Sequence, residues 1–355
     1  MIRTLAAALL LAAPAVAQTP DKWRGVEADH VVRNFTFASG ETLPELKLHY
    51  LLLGTPHRDA QGRIDNAVMV LHGTGGSGRQ FLQPQFADKL YGPGQPLDLA
   101  KFYVILPDGI GHGASSKPSD GLHAKFPHYN YDDMVKAQHA VLADALGLDG
   151  LRLLMGTSMG CMHAFVWGET YPGFAKALMP MACLPVEIAG RNRTWRKLAM
   201  DAIRADPAWA GGDYTAQPVA GLRTAIALGM IAGSVPLRQQ VEAPTRAAAD
   251  AAVEARTTAD LARADANDQL YALDASRDYN PQARLGTITV PVAWINSADD
   301  FINPPGLKIA EAEVGKMPKA TFRLIPETAA GRGHSTHTWA KFWEADLRAL
   351  LKRSE

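Results

Sequence analysis

The amino-acid sequence predicts an α/β fold, a mostly parallel, doubly wound sheet with a helical cap inserted late in the chain. Three observations predict it. Short, nearly continuous apolar runs recur along the chain, bounded by Gly, Pro or Asp, as strands buried on both faces of a parallel sheet require. Helical periodicity fills several of the intervals between those runs. The stretch 185–285 then breaks the alternation, because it holds no strand-like run.

The elements follow in order. Residues 1–17 read as an export signal. Met1-Ile2-Arg3 supplies a positive start, an apolar run covers 5–13, and Ala15-Val16-Ala17 forms a small-x-small cleavage site that makes Gln18 the expected mature N-terminus. The run is too short to span a bilayer, and nothing later approaches the necessary length, so no membrane span is expected after signal removal. The expected location is periplasmic or secreted. Strands are expected at 31–37 and 46–53 around the turn Ser39-Gly40, then at 68–71, 102–106, 151–155, 177–181, 290–295 and 321–325. Helices are expected at 131–146, 159–170 and 305–314. Within 185–285, helical periodicity fits 195–204, 222–231, 245–264 and 270–275, punctuated by Pro207, Pro218, Pro236 and Pro244. Ligands of open α/β sheets bind at the carboxyl ends of strands, where this insertion leaves and returns. The expected organisation is therefore a signal at 1–17, a first part of the sheet core at 18–184, the cap at 185–285 and a second part of the core at 286–355.

Composition narrows the function classes. The 355 residues are 47% hydrophobic and 20% charged, enough for a large core. Lys plus Arg is 36 and Asp plus Glu is 36, and no basic run stands out, so the counterion-displacing footprint of a nucleic-acid binder is missing. The two cysteines, Cys161 and Cys183, are too few for a disulfide framework or a zinc cage. Both read as separate small buried residues, although export makes a disulfide chemically possible. No Cys, His and Asp cluster has metal-ligand spacing, so neither metal nor cofactor is expected.

The chemistry centres on Gly156-Thr157-Ser158-Met159-Gly160, a G-x-S-x-G between a predicted strand and a predicted helix. That is the nucleophile elbow of the α/β-hydrolase fold, a strained turn that lifts the serine hydroxyl above the sheet. A serine hydroxyl needs a base to take its proton, and in this fold the partners follow in the order Ser, acid, His. Asp299 and Asp300 follow the strand at 290–295, and His334 and His337 follow the strand at 321–325. Asp-x-aliphatic-x-Pro favours Asp300, leaving Asp299 a solvated turn residue. Gly333 before His334 favours that histidine, with His337 at the start of the final helix. The oxyanion hole needs two backbone N–H groups. Met159 is one candidate and Thr74, in the loop His72-Gly73-Thr74-Gly75-Gly76-Ser77-Gly78, is the other. That loop lacks the Lys of a P-loop and the spacing of G-x-G-x-x-G, which sets a phosphate cradle aside. His72 reads as a packed core histidine supporting the loop, and His163 as a core histidine behind the elbow. Residues 108–113 either line the pocket or form a structural turn.

The elbow Gly156-Thr157-Ser158-Met159-Gly160-Cys161-Met162 resembles that of the homoserine O-acetyltransferase family. Arg191-Asn192-Arg193, the segment from Ala202 through Pro207 to Trp209, Gly211-Gly212-Asp213-Tyr214, Asp300 to Pro305 and Gly333-His334 are similar to that family too. The resemblance runs from about Phe35 to the C-terminus. It implies an α/β-hydrolase fold with a helical lid, an acyl-serine intermediate, and often a homodimer joined through lid helices. Two departures stand out. Family acetyltransferases carry an Asp directly after the catalytic His, where it holds the substrate amine; here Ser335 follows. The oxyanion loop is closer to that of generic esterases. The expected function is hydrolysis of an ester, less readily an amide or thioester, through Ser158, Asp300 and His334. The alternative is acyl transfer from a thioester to a small alcohol. A non-catalytic binding protein on the same scaffold is disfavoured by the intact set of three residues.

Overall fold

The computed structural model describes residues 22–355; the expected export signal and Gln18 lie outside the described residues. The strands are β1 (Val26–Thr36), β2 (Thr42–Leu53), β3 (Ala67–Leu71), β4 (Tyr103–Pro107), β5 (Leu153–Thr157), β6 (Leu178–Met181), β7 (Val292–Ser297) and β8 (Ala320–Ile325). They form one sheet in the order β1-β2-β4-β3-β5-β6-β7-β8. β1 and β2 pair antiparallel, as do β2 and β4, and every later pairing is parallel. The helices are α1 (Pro84–Leu90), α2 (Tyr131–Ala140), α3 (Met159–Thr170), α4 (Gly190–Ala205), α5 (Val219–Ala232), α6 (Pro236–Glu242), α7 (Arg246–Leu261), α8 (Ala266–Asp274), α9 (Ile309–Glu313) and α10 (Glu344–Arg353). Among the described residues, no single helix is long and apolar enough to cross a membrane.

Apolar residues fill β3, β4 and most of β5, and every residue of these strands is buried. Alternation sends Met69 and Leu71 to one face and Val68 and Val70 to the other. The first face packs on α2 and α3 through Met134, Phe165 and Trp167. The second packs on α1 and α10 through Phe86, Leu90, Leu347 and Leu350. With both faces covered, the carboxyl edge of the parallel strands is where loops are free to converge.

Several boundaries differ from expectation. β1 and β2 begin earlier, because pairing from Val26 with Leu52 draws in polar residues such as Glu27 and Asp29 that hide the strand pattern. β5 and β7 run two residues further than their apolar runs. The helix expected at 131–146 ends as α2 at Ala140, and a π-turn at Val141–Ala145 follows. The helix expected at 305–314 is broken at Lys308, whose φ of 56° is left-handed. His337 is not at the start of the last helix: it lies in a 3-10 turn, Gly333–Thr338, ahead of α10. The cysteines, expected to be separate, form the disulfide Cys161–Cys183. It ties the first turn of α3 to the segment leaving β6.

Helices α4 to α8 leave after β6 and return before β7, forming the cap. Asp268 of α8 fastens it to the core by accepting from the Ser119 N–H at 2.9 Å and the Ser119 hydroxyl at 2.6 Å. Asn130 donates to Asp278 at 2.8 Å on the same side.

Two outcomes are expected. The disulfide closes a loop over a separation of 22 residues, for which chain-entropy arguments give roughly 3 kcal/mol. Cys161→Ala with Cys183→Ala should therefore lower the urea unfolding midpoint, and an unchanged midpoint would show that the bond contributes nothing. Burial raises the Asp268 carboxyl to about 6 in the folded protein, above the ~3.9 of an unfolded aspartate. Folding then takes up a proton between those values, so this group's contribution is greatest below pH 4 and declines as the pH rises through 6. Asp268→Asn should flatten the decline in thermal midpoint between pH 5 and 7, by an amount worth roughly 1 kcal/mol given partial exposure. Identical pH profiles for the two proteins would refute the assignment.

Candidate active site

The elbow is built from contacts that admit no side chain. Gly156 pairs with Leu71 across β5 and β3. A Cβ on Gly156 would come 2.0 Å from the Gly160 carbonyl oxygen, and one on Gly160 would come 2.2 Å from that of Leu71. Between them Ser158 adopts φ 54° and ψ −109°, a strained conformation that persists only where the surroundings over-determine it. Its N–H donates to the Met181 carbonyl at 2.9 Å, fastening the turn to the end of β6.

The structure brings Ser158, His334 and Asp300 together. His334 Nε2 lies 2.8 Å from Ser158 Oγ, and His334 Nδ1 lies 2.8 Å from Asp300 Oδ2. Asp300 has no proton to give, so Nδ1–H donates to it and Nε2 is left to accept from the serine hydroxyl. Asp300 is 2% exposed and well supplied with donors. Its Oδ1 accepts from the N–H groups of Ile302 at 2.8 Å and Asn303 at 3.2 Å, and its Oδ2 accepts from Asn303 Nδ2 at 3.0 Å. Burial alone pushes this carboxyl up, but His334 and the Asn303 hydrogen bonds outweigh it and hold the group below the usual carboxylate range. It therefore remains ionised through neutral and mildly acidic pH.

The competing residues have other places. Asp299 is not a solvated turn residue: its Oδ2 accepts from the Gly333 N–H at 2.8 Å. Ser297 Oγ donates to the Gly333 carbonyl at 2.9 Å. Gly333, with φ +54°, is thus held from both sides and aims the next residue, His334, at the serine. His337 stacks edge-on at 5.3 Å from His334, and burial with the neighbouring His334 pushes it down to about 3. It makes no hydrogen bond to Ser158. Sequence reasoning missed Asn303 and Ser297; an amide three residues past the acid, where it can fold back onto the carboxylate, is the signal that could have found the first.

The loop after β3 lies against the serine, since a Cβ on Gly73 would be 3.3 Å from Ser158 Cβ. His72 is buried and pushed down to about 4, chiefly by burial, so it is neutral. Its Nε2 accepts from the Gly109 N–H at 2.9 Å, which leaves the proton on Nδ1, 2.9 Å from the Gly73 carbonyl. Gly76 N–H donates to that same carbonyl at 2.9 Å. In a trans peptide the C=O and N–H point in opposite directions. Drawing the Gly73 carbonyl toward His72 therefore turns the Thr74 N–H away from it. Thr74 N–H makes no hydrogen bond among the described residues, and Met159 N–H stands in the first turn of α3, where amides lack intrahelical acceptors. His112 Nε2 lies 2.8 Å from the Thr74 carbonyl, so the turn at 108–113 supports this loop as well.

A cavity of about 440 Å³ opens beside Ser158 and His334. Met162, Leu184, Val186, Ile188, Ile302 and Leu307 supply much of its wall. Among the described residues, no group of His, Cys, Asp and Glu is arranged to hold a metal ion. A hydroxyl hydrogen-bonded to a neutral imidazole, itself oriented by a buried carboxylate, can deliver an activated oxygen to a carbonyl in such a cavity.

A profile of the alpha/beta hydrolase fold matches residues 66–331. Homoserine O-acetyltransferase of Thermobifida fusca (strain YX) is 32% identical over 197 residues, 52% of this chain and 50% of that protein. The chain spans about half the length of the curated relatives it matches. Homoserine O-acetyltransferase from Bacillus anthracis superposes with a TM-score of 0.81 at 20% identity, covering 93% of this chain and 98% of that one. Esterase E22 superposes with a TM-score of 0.78 at 21% identity, covering 92% and 100%. At these identities the structural likeness is one of fold.

Paired substitutions test the site. Asp300→Asn should cost about four orders of magnitude in kcat on an activated ester, by analogy with the known triad acid, and Asp299→Asn far less. His334→Ala should abolish turnover where His337→Ala leaves most of it. A reversed ranking in either pair would reassign the acid or the base.

Proposed function

The chain belongs to the α/β-hydrolase fold family, and from that premise we propose that it is a serine acyl-enzyme catalyst whose principal reaction is ester hydrolysis. The observation that carries this reading is the continuous hydrogen-bonded relay from Asp300 through His334 to Ser158 at the mouth of an apolar cavity. Ser158 attacks the carbonyl carbon as its proton passes to His334 Nε2. The negative charge that develops on the carbonyl oxygen falls between the N–H groups of Thr74 and Met159. His334 returns the proton to the departing alcohol, leaving an acyl-serine. It then deprotonates water, which releases the acid and restores the hydroxyl. Asp300 holds the imidazole in the required tautomer and stabilises its cation throughout.

Water as the second nucleophile is supported by Ser335. It follows His334, is exposed, and carries no charge with which to hold an acceptor's ammonium. Transfer to a small alcohol is the second reading, and the sequence comparisons favour it: the relatives at 30 to 35% identity are named as O-acetyl- and O-succinyltransferases of homoserine or serine. The buried disulfide supports an oxidising compartment for the folded chain, in keeping with the export expected from residues 1–17.

The purified protein should hydrolyse 4-nitrophenyl acetate or butyrate and take a fluorophosphonate label at Ser158 that Ser158→Ala does not take. Given acetyl-CoA and millimolar homoserine, it should release free acetate faster than O-acetylhomoserine. Faster formation of O-acetylhomoserine would replace hydrolysis by transfer, and labelling at another serine would remove the acyl-serine assignment altogether.

A further inference from the structure

The cavity beside Ser158 is apolar in most of its wall, yet a guanidinium is buried in it. Arg196, on the inner face of α4, lines the same cavity as Ser158 and His334 and is 2% exposed. Its Nε donates to Asn192 Oδ1 at 3.0 Å, one turn earlier on the helix, and its Nη1 donates to Ser276 Oγ at 3.3 Å. Both acceptors are neutral. Among the described residues, Arg196 makes no ion pair; its further polar neighbour is the Tyr131 hydroxyl, which burial keeps protonated and neutral. The cavity wall carries one carboxylate among those residues, Glu187, which is exposed and unpaired with Arg196. A second guanidinium, Arg191, stands on the cavity wall, stacked at 3.7 Å on Phe301 and donating to the Phe301 carbonyl.

Burying a cation without a counter-charge is costly, and buried arginines ordinarily face a carboxylate or a phosphate. Here the protein supplies neither. A purely structural bridge from α4 to Ser276 and Tyr131 does not call for a charge, because every one of these partners is neutral. The guanidinium fork matches a carboxylate with two parallel N–H donors. One buried positive charge within apolar walls neutralises a monoanion, whereas a phosphate dianion would bring a surplus charge into the same space.

We propose that the substrate of this site is an ester bearing a free carboxylate, and that Arg196 receives that carboxylate while the scissile carbonyl meets Ser158. The assignment rests on the acyl-serine reading above and adds the charge of the molecule that enters. The carboxylate can belong to the acyl half or to the alcohol half; the recognition chemistry is the same. Arg191, nearer the solvent, draws the anion toward the entrance, and Met162, Leu184 and Ile188 enclose the carbon chain between charge and carbonyl.

Two matched substrate pairs test this. On the acyl side, mono-4-nitrophenyl glutarate is compared with 4-nitrophenyl pentanoate; on the alcohol side, 3-acetoxypropanoate is compared with 3-acetoxypropanamide. The measured quantity is the ratio of kcat/KM within each pair. Both members are assayed on one preparation, so the fraction of active enzyme cancels. The wild type should prefer the carboxylate by about tenfold or more in one pair, as a charge-assisted hydrogen bond predicts. That pair identifies the half of the substrate that carries the charge. In Arg196→Gln, which keeps donors for Asn192 and Ser276, the preferred ratio should fall to about one or below; in Arg196→Lys it should be intermediate. A structural role alone would change both rates together and leave the ratio in place. Ratios near one for both pairs in the wild type, or a preference that survives Arg196→Gln, would overturn the proposal while leaving ester hydrolysis standing. Failure to cleave any of the four, with no fluorophosphonate label on Ser158, would overturn the acyl-serine reading and this proposal with it.

Discussion

Three backbone segments meet at the nucleophile turn with no room for a methyl group between them. The end of β3 presses its Leu71 carbonyl against Gly160, and Gly160 presses its own against Gly156. Everything else in the site is placed relative to that crossing. Because β3 ends there, the loop that follows it is delivered over Ser158. Because β6 lies alongside β5, the Met181 carbonyl is available to hold the Ser158 amide. The strained dihedrals of the serine are thus sustained by the sheet itself. A larger residue at either glycine would have to part the strands before it disturbed any side chain.

The histidine loop lies against the end of β7, and its position there is secured by polar contacts. Asp299 and Asp300 are adjacent, yet their carboxylates serve different ends. One holds the Gly333 amide and the other holds the His334 ring. Ser297, at the end of β7, closes the arrangement by taking the Gly333 carbonyl. A loop of this kind is accurate only while every member is satisfied, which is why the acid is saturated by Asn303 and by backbone amides. His72 does comparable work on the opposite side of the serine, and burial keeps it in the neutral form that this task requires.

The strand and helix alternation was legible because buried parallel strands leave an unmistakable apolar run, and the elbow was legible because its two glycines have a steric cause. That Asp300 and His334 lie together beside Ser158 could be read from turn chemistry next to predicted strand ends. What the chain did not disclose has physical reasons too. The early half of β1 is polar because the hairpin leaves much of it exposed, so pairing rather than burial defines it. Lys308 interrupts a helix through a left-handed φ that a lysine does not advertise. The work of Asp299 and Ser297 depends on a residue more than thirty positions away. The pairing of Cys161 with Cys183 depends on α3 and β6 being packed, which no local pattern reports. The buried charge of Arg196 is visible only as the lack of an anionic partner among the described residues, and that is a property of the folded cavity.

The disulfide has a consequence for how the chain matures. Within these 355 residues there are two cysteines, so a single intramolecular pairing exists and oxidation cannot scramble it. The bond joins the first turn of α3 to the exit of β6, and both sulfurs end in the core. Cys183 also lines the cavity beside Ser158, so the bond stands between the core behind the nucleophile and the wall that a substrate meets. Maturation needs an oxidant, but it makes no demand on an isomerase, because no wrong pairing within these residues exists to be undone.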